Sequence, residues 1–579
     1  MRPDQVFREC IMERQINETN KCWDGDGDRC ICNPWEGTPI WLSSSPVKKL
    51  KVLRFGEICS YFTNPTFHFQ GSSHHHHHHH PHVVSLVDLF VRKKKMEDMF
   101  NRLPNPLISH ILSFLPTKEA ASTSVLSKRW RLLFASVTNL DFEGDEESPS
   151  FVEFVNRVLA LGGNDSINRF SLIFTDYPDP DTVTAWILNV LRRGVSELEL
   201  SVSDYPLPLE IFVSKSLAKL KLGGGDGLSF SADVKKVSLP KLKTLEIESV
   251  VFEEDGVGFV KLLSGCPVLE ELVLVNIGWE HWKSCSVSAK SLRKLKFFCE
   301  DNDENPKSVS FDTPNLEYLE YSDNIAKKYP KVKFRSLVEA HISLRLTEDQ
   351  SADAGSSEED EYLFESDDDE EKEMVGNATN FFKGICNVKI LYLSAKTLEV
   401  LAFCCEATPV FNNLIQLTVE SDEEIGWDSL PGLLKNCPNL ETLVFKGLVH
   451  KSTKGCGNMC ACKPLKNPSC LSSSAVKVLK IILSTHIDDD GMEEEQIKHF
   501  LEKMPRLEQL VVYFNESYEP SVFELSKKLQ SVSTIASPKC NLQVISQNLS
   551  LSSTLPCALT KKWSAPPNEE YTWFLKAVT

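Results

Sequence analysis

The sequence predicts an α/β architecture: a small three-helix unit, then a solenoid of short stacked repeats, then a C-terminal extension. Three observations predict it. An apolar-x-x-apolar-x-apolar pattern recurs along most of the 579 residues. A second apolar periodicity, with helical spacing, fills the stretch just before the first clear repeat. A dense acidic tract interrupts the repeats, and the pattern resumes beyond it.

A chain of 579 residues is too long for one compact core, so several domains or a solenoid are expected. The longest apolar run, Val83 to Val91, contains Asp88 and falls far short of the roughly 20 residues needed to cross a bilayer. The first residues, MRPDQVFRECIMERQINE, lack the apolar core of a secretory signal. The expected location is intracellular, in the nucleus and/or cytoplasm. The 18 cysteines are then read as reduced, mostly buried thiols. Net charge is −18, but residues 348–373 hold 14 acidic residues against one lysine and so carry −13 of it. The remainder has no strong bias toward nucleic acid or membrane, and neither is expected as a partner.

Residues 1–95 match neither periodicity. They are expected to be disordered or an extended gene model, with Met96-Glu-Asp making a natural start. His74 to His80, seven consecutive histidines, read as a low-complexity run. Asp24-Gly-Asp-Gly-Asp28 is not a calcium loop, because Arg29 stands where glycine is needed and Trp35 where glutamate is needed.

Residues 96–143 read as three short helices. Leu107, Ile108, Ile111, Leu112 and Leu115 fall on one helical face. Pro106 suits the first turn of that helix and Pro116 its end. Thr117 is expected to cap a second helix, and Ser127 a third whose apolar face is Trp130, Leu133 and Phe134. So small a bundle is marginal alone and expected to need a partner.

The repeats are assigned to residues 150–450, and copies of the pattern continue beyond them. Clear copies are Leu217/Leu220/Leu222, Leu242/Leu245/Ile247, Leu269/Leu272/Leu274, Leu292/Leu295/Phe297, Leu316/Leu319/Tyr321, Leu414/Leu417/Val419, Leu440/Leu443/Phe445 and Leu507/Leu510/Val512. Weaker ones are Ile167/Phe170/Leu172, Val195/Leu198/Leu200, Leu337/Ala340/Ile342, Val388/Leu391/Leu393 and Val476/Leu479/Ile481. Most are 21 to 28 residues apart, the period of leucine-rich repeats. The last two positions of each triple lie two apart, on one face of a short strand. One copy cannot bury its leucines, whereas a stack shares one core. Two spacings are long. The first contains the acidic tract, expected to be a disordered loop over residues 347–375. The second, Leu440 to Val476, contains a Cys- and Lys-rich insertion.

Leu103-Pro104, Ile111-Leu112-Ser113-Phe114-Leu115-Pro116 and Ser124-Val125-Leu126-Ser127-Lys128-Arg129-Trp130 resemble the F-box motif in its plant form. The resemblance implies helices that pack on a Skp adaptor, which bridges to a cullin and a RING subunit. Leu103, Pro104, Leu107, Ile108, Ile111, Leu112, Leu115 and Pro116 would then form much of the adaptor contact. Val125, Leu126 and Trp130 would complete or support it, Trp130 also serving as helical core. Cys460-Ala-Cys462-Lys463-Pro464, Cys470-Leu471 and the later Ile497-Lys-His-Phe500-Leu501 resemble an FBD domain, placed over residues 456–530. Residues 541–579 depart from that pattern and are read as an atypical tail.

No nucleotide-binding, zinc-protease or nucleophile-elbow motif is present, and Gly223-Gly-Gly-Asp-Gly227 reads as a turn. Cys456, Cys460, Cys462 and Cys470, near His450, have the spacing C-x3-C-x-C-x7-C without paired C-x2-C knuckles, so no metal ligands and no cofactor are assigned. The expected function is the non-catalytic receptor subunit of an SCF-type ubiquitin ligase, with an unidentified protein as substrate. A ligand-assisted co-receptor and a non-degradative leucine-rich-repeat scaffold are the alternatives.

Overall fold

The computed structural model describes residues 103–546 apart from 145–148, 163–164, 175–178, 203–204, 206, 224–227, 231–235, 253–255, 277–283, 300–304, 348–375, 462–469, 484–491, 515–525 and 531–538, together with 22–23, 29–30 and 550–552. The histidine run, the Asp24–Asp28 segment, the acidic tract, Cys462 and residues 553–579 lie outside the described residues. The chain divides into two units, residues 1–199 and 200–579.

In the first unit the three expected helices are α1 (Asn105–Leu112), α2 (Thr117–Ser122) and α3 (Lys128–Ala135). Pro104 is extended and holds the cap position of α1, with Pro106 in the first turn. Ser127 caps α3 as expected, its hydroxyl accepting from the Trp130 N–H. Thr117 does not cap α2. Pro116 takes that position, and the Thr117 hydroxyl accepts from the Asp141 N–H at 2.7 Å. That bond ties α2 to the strand Asn139–Gly144, which pairs in parallel with Arg169–Phe174, Leu140 opposite Phe170 and Phe142 opposite Leu172. The repeat pattern therefore begins one strand earlier than the first triple read from sequence.

In the second unit twelve parallel strands follow one another from Lys219–Gly223 to Asn541–Ser546, and a short antiparallel strand, Ser550–Ser552, closes the edge. The register is constant. Leu245, Leu272, Leu295, Leu319 and Ala340 lie opposite one another in succession, as do Ile247, Leu274, Phe297, Tyr321 and Ile342. Every position of the thirteen triples is buried, none more than 5% exposed. At roughly 1.5–3 kcal/mol per buried large apolar side chain, these rows supply the main favourable term of the stack.

Polar groups set the spacing that lets the rows align. At most strand entries two consecutive N–H groups donate to one carbonyl of the preceding repeat. Glu270 and Glu271 share Lys243 O, Arg293 and Lys294 share Glu270 O, and Glu317 and Tyr318 share Arg293 O. The same stitch recurs as Lys477 and Val478 on Glu441 O, and as Glu508 and Gln509 on Lys477 O. Asn315 and Asn439, each just before a first leucine, donate from their side chains to Lys290 O and Asn412 O one repeat back, both at 2.8 Å.

Both long spacings are insertions that leave the sheet unbroken. Glu339–Arg345 pairs directly with Ile390–Leu393, Ala340 opposite Leu391, although the acidic tract lies between them. The chain re-enters through the helix Thr379–Ile385, where Phe381 packs 5.2–6.1 Å from the rings of Tyr329, Tyr321 and Phe311. Thr442–Lys446 likewise pairs with Val478–Leu483, Leu443 opposite Leu479. Loop-closure entropy grows only slowly with length, so such insertions cost little once both flanks are anchored. The FBD-like region carries the sheet onward through Val478–Leu483, Gln509–Phe514 and Asn541–Ser546, the last strand being part of the segment read as tail.

Leu295 is fully buried at the centre of one row. Leu295→Ala is expected to lower the stability of the repeat unit by about 2–5 kcal/mol, read as a lower midpoint in denaturant unfolding.

Candidate functional site

The helices α1 to α3 carry an apolar inventory larger than their own core. Leu103, Ile108, Leu112, Leu115, Trp130 and Phe134 are buried among the helices. Arg129 locks the bundle: its Nε donates to Asn105 Oδ1 at 2.7 Å and a terminal nitrogen donates to Leu103 O, joining the start of α3 to the start of α1. Outside this core remain Pro104 and Pro116, both exposed, Leu107, Ile111 and Leu126, all half-buried, and Val125, 57% exposed.

The eleven expected adaptor-contact residues thus fall into two sets. Leu103, Ile108, Leu112, Leu115 and Trp130 form the bundle's interior, while Pro104, Leu107, Ile111, Pro116, Val125 and Leu126 are the ones a partner can reach. Two accessible apolar residues were missed by sequence reasoning: Phe114, 49% exposed, and Leu132, 73% exposed. Phe114 sits seven residues after Leu107 and three after Ile111, so helical spacing puts all three on one side of α1 and the turn that follows it. The ring of His110 packs edge-on against Phe114 at 4.6 Å. These side chains leave apolar surface exposed on a small bundle whose core is filled by other residues.

A second surface lies on the repeat unit. Strand positions between the buried leucines face outward, and at three adjacent strands they hold Tyr318, His341 and Tyr392. Their rings are racked at 5.4 Å from Tyr318 to His341 and 5.4 Å from His341 to Tyr392, the latter pair stacked. Carboxylates fix each one. Tyr318 Oη donates to Glu320 at 3.1 Å, His341 Nε2 to Glu339 at 2.7 Å and Tyr392 Oη to Glu420 at 2.7 Å. Burial and then the neighbouring glutamate hold both tyrosine hydroxyls well above their usual pKa, so they stay protonated donors. Lys446 Nζ lies 4.6 Å from the centroid of Tyr392.

The expectation of reduced thiols is met at ten described cysteines, which are free, and departs at Cys460, which is disulfide-bonded. Burial pushes the thiols of Cys266, Cys405 and Cys437 up to about 12. Cys456 is the exception. Burial alone would raise it, but hydrogen bonds from His450, Thr453 and the Trp427 backbone bring it down to about 7. The cysteines read from spacing as an ordinary loop are therefore in part brought together: His450, Cys456 and Cys460 converge, whereas Cys470 lies apart with its sulfur 3.9 Å from Met459 Sδ.

The comparisons agree with these two regions. A family model described as the F-box domain matches residues 100–141, and one described as the LRR repeats of FBD-associated F-box protein At5g56370 matches residues 183–340. Among similar proteins of Arabidopsis thaliana, F-box/LRR-repeat protein At3g59200 is 67% identical over 490 residues, which is 82% of this chain and 94% of that protein. F-box/LRR-repeat protein At3g59210 is 56% identical over 482 residues, 80% of this chain and 98% of its own length. The putative F-box/FBD/LRR-repeat protein At3g59240 is 45% identical over 473 residues, 78% and 90% of the two chains. About four-fifths of this chain thus accounts for nearly all of each relative.

The division of the helical residues is directly testable. Leu112→Asp buries a carboxylate with no partner, a cost of several kcal/mol, and should unfold the bundle, seen as rapid proteolysis within residues 103–144. Leu107→Asp, on the accessible side, should change stability by less than about 1 kcal/mol and leave the cleavage pattern unaltered.

Proposed function

The chain belongs to the plant F-box/LRR-repeat family, and from that premise we propose that it is the substrate-receptor subunit of an SCF-type ubiquitin ligase, working in the nucleus or cytoplasm. The observation that carries this reading is the accessible apolar set Pro104, Leu107, Ile111, Phe114, Pro116, Val125 and Leu126 on a bundle whose core is already filled by other residues. F-box domains in general bind Skp-type adaptors, and these are the residues left to make such a contact.

The chain's part in the reaction is positional. The adaptor-bound helices tether it to the cullin and RING subunits, the repeat unit holds the target, and held proximity raises the effective concentration of the target's lysines at the ubiquitin-charged enzyme. The rack of Tyr318, His341 and Tyr392 offers a target the rigid aromatic anchors that dominate protein interfaces. Its rings are pre-oriented by Glu320, Glu339 and Glu420, so little side-chain entropy is lost when a partner settles on them.

The test is a pull-down of the full chain with purified plant Skp adaptor, beside the double variant Leu107→Asp and Val125→Asp. The unmodified chain should bind, and the folded double variant should bind at least tenfold more weakly, since a loss of about 1.4 kcal/mol suffices for that factor. An unmodified chain that ignores the adaptor, or a double variant that binds as well, refutes the proposal. Tyr392→Ala should leave adaptor binding unchanged; a loss there would show that the two surfaces are not independent.

A further inference from the structure

We propose that His450, Cys456 and Cys460 form a binding site for one tetrahedral divalent metal ion, zinc in class, which staples residues 448–461 to the repeat stack. A ring nitrogen of His450 and the Sγ atoms of Cys456 and Cys460 all lie within 4.8 Å of one another. Zinc bonds of about 2.3 Å to sulfur and about 2.0 Å to nitrogen put tetrahedral donors roughly 3.5–3.8 Å apart, so the cluster needs to close by about an ångström. Both cysteines are buried, at 1% and 0% exposure, and His450 is half-buried. Two thiolates and an imidazole select a borderline-soft ion over magnesium or calcium.

The histidine is oriented as a ligand. Its Nδ1 lies 3.0 Å from Leu448 O. A carbonyl only accepts, so Nδ1 donates there, and the hydrogen bond from His450 to Cys456 is what the metal bond would replace, its proton leaving to solvent. Metal-bound histidines are commonly held in this way, through a backbone carbonyl on the other nitrogen. The ring plane is fixed by Trp427, stacked on it at 3.8 Å and 11°.

The loop that carries the sulfurs is anchored on two sides. Thr453 Oγ1 donates to Asp428 Oδ1 at 2.8 Å and accepts from the Cys456 N–H at 3.3 Å. Gly455 permits this approach, because a Cβ there would lie 1.9 Å from Asp428 Oδ1, and Gly457 turns the chain at φ +59°. On the other side Gln496, in the helix Met492–Lys503, accepts from the Ala461 N–H at 2.8 Å and donates to Met459 O at 3.1 Å. From the same helix His499 Nε2 donates to Asn458 O at 3.0 Å. The backbone that carries the two sulfurs is therefore held by parts of the fold that do not depend on the ion.

Cys460 is disulfide-bonded in this structure, so the metal-binding state is the reduced one. A phosphine reductant splits the S–S bond into two thiols and itself takes oxygen from water to become the phosphine oxide. Metal binding then displaces the thiol protons of Cys456 and Cys460 to solvent, and no electron moves. The fourth tetrahedral position is left for one further donor.

The test uses the full chain, reduced with a phosphine and titrated with cobalt(II), then zinc(II). Expected are thiolate-to-cobalt charge-transfer absorption and the intense visible bands of a tetrahedral site, both erased by zinc. The run His74–His80 binds cobalt through nitrogen alone and adds no thiolate band. Cys456→Ser and His450→Ala should each lose the tetrahedral signature while Cys437→Ser, at a buried thiol outside the cluster, keeps it; Cys460→Ala repeats the test should Cys456→Ser not fold. An unmodified chain without the thiolate band overturns the proposal, as does a band that persists unchanged in the folded ligand variants.

Discussion

A single repeat of this chain cannot bury its three apolar positions, and that constraint governs the rest of the molecule. Leu272 is covered because Leu245 and Leu295 stand beside it in register, and the register holds because each strand begins on a carbonyl of the strand before. The shared carbonyl is a local, directional bond of modest net value, and the leucine rows are a non-directional term of much larger size. The first decides where each strand sits and the second decides that it stays. Exposed ion pairs such as Lys243–Glu270 and Arg293–Glu317 follow the same one-repeat spacing. They contribute at most about 1 kcal/mol each and are a consequence of the register rather than its cause.

Because neighbours alone stabilise each repeat, the segments between strands are free to vary. The strands on either side of the acidic tract, and those on either side of the Cys-rich insertion, pair without shifting a single leucine pair. The outward strand positions are free in the same sense, and there the chain places Tyr318, His341 and Tyr392. The helical unit works by the opposite logic. Its core is complete with Ile108, Leu112, Leu115 and Trp130, and its surplus apolar residues lie at the surface.

The repeats were legible because their signal is periodic, so that thirteen weak patterns supported one another. The ends were less so: Val137/Leu140/Phe142 fits the pattern but follows directly on the third helix, Leu542 has Lys539 where an apolar residue is needed, and their pairing with Phe170 and Leu510 identifies both. Membership of the F-box region was legible from a motif, yet the motif does not separate interior from surface. Leu107 and Ile108 are adjacent letters, one half-buried and the other fully buried, and the difference lies in how three helices meet. Thr117 failed as a cap because Asp141, 24 residues away, claims its hydroxyl. The convergence of His450, Cys456 and Cys460 is not legible in their spacing, which reports only on ligands supplied by tight turns. Here the histidine comes from a segment held by Trp427, and the sulfurs from a loop shaped by Gly455 and Gly457.

The central claim, that the accessible face of the helical unit docks an adaptor while the repeat sheet is left free for a target, is tested most directly by hydrogen exchange of the full chain with and without purified plant Skp adaptor. Slowed exchange is expected to be confined to residues 104–132, with the amides of Tyr318, His341 and Tyr392 unaffected. Protection of the sheet strands, or no change across 104–132 at saturating adaptor, would contradict it.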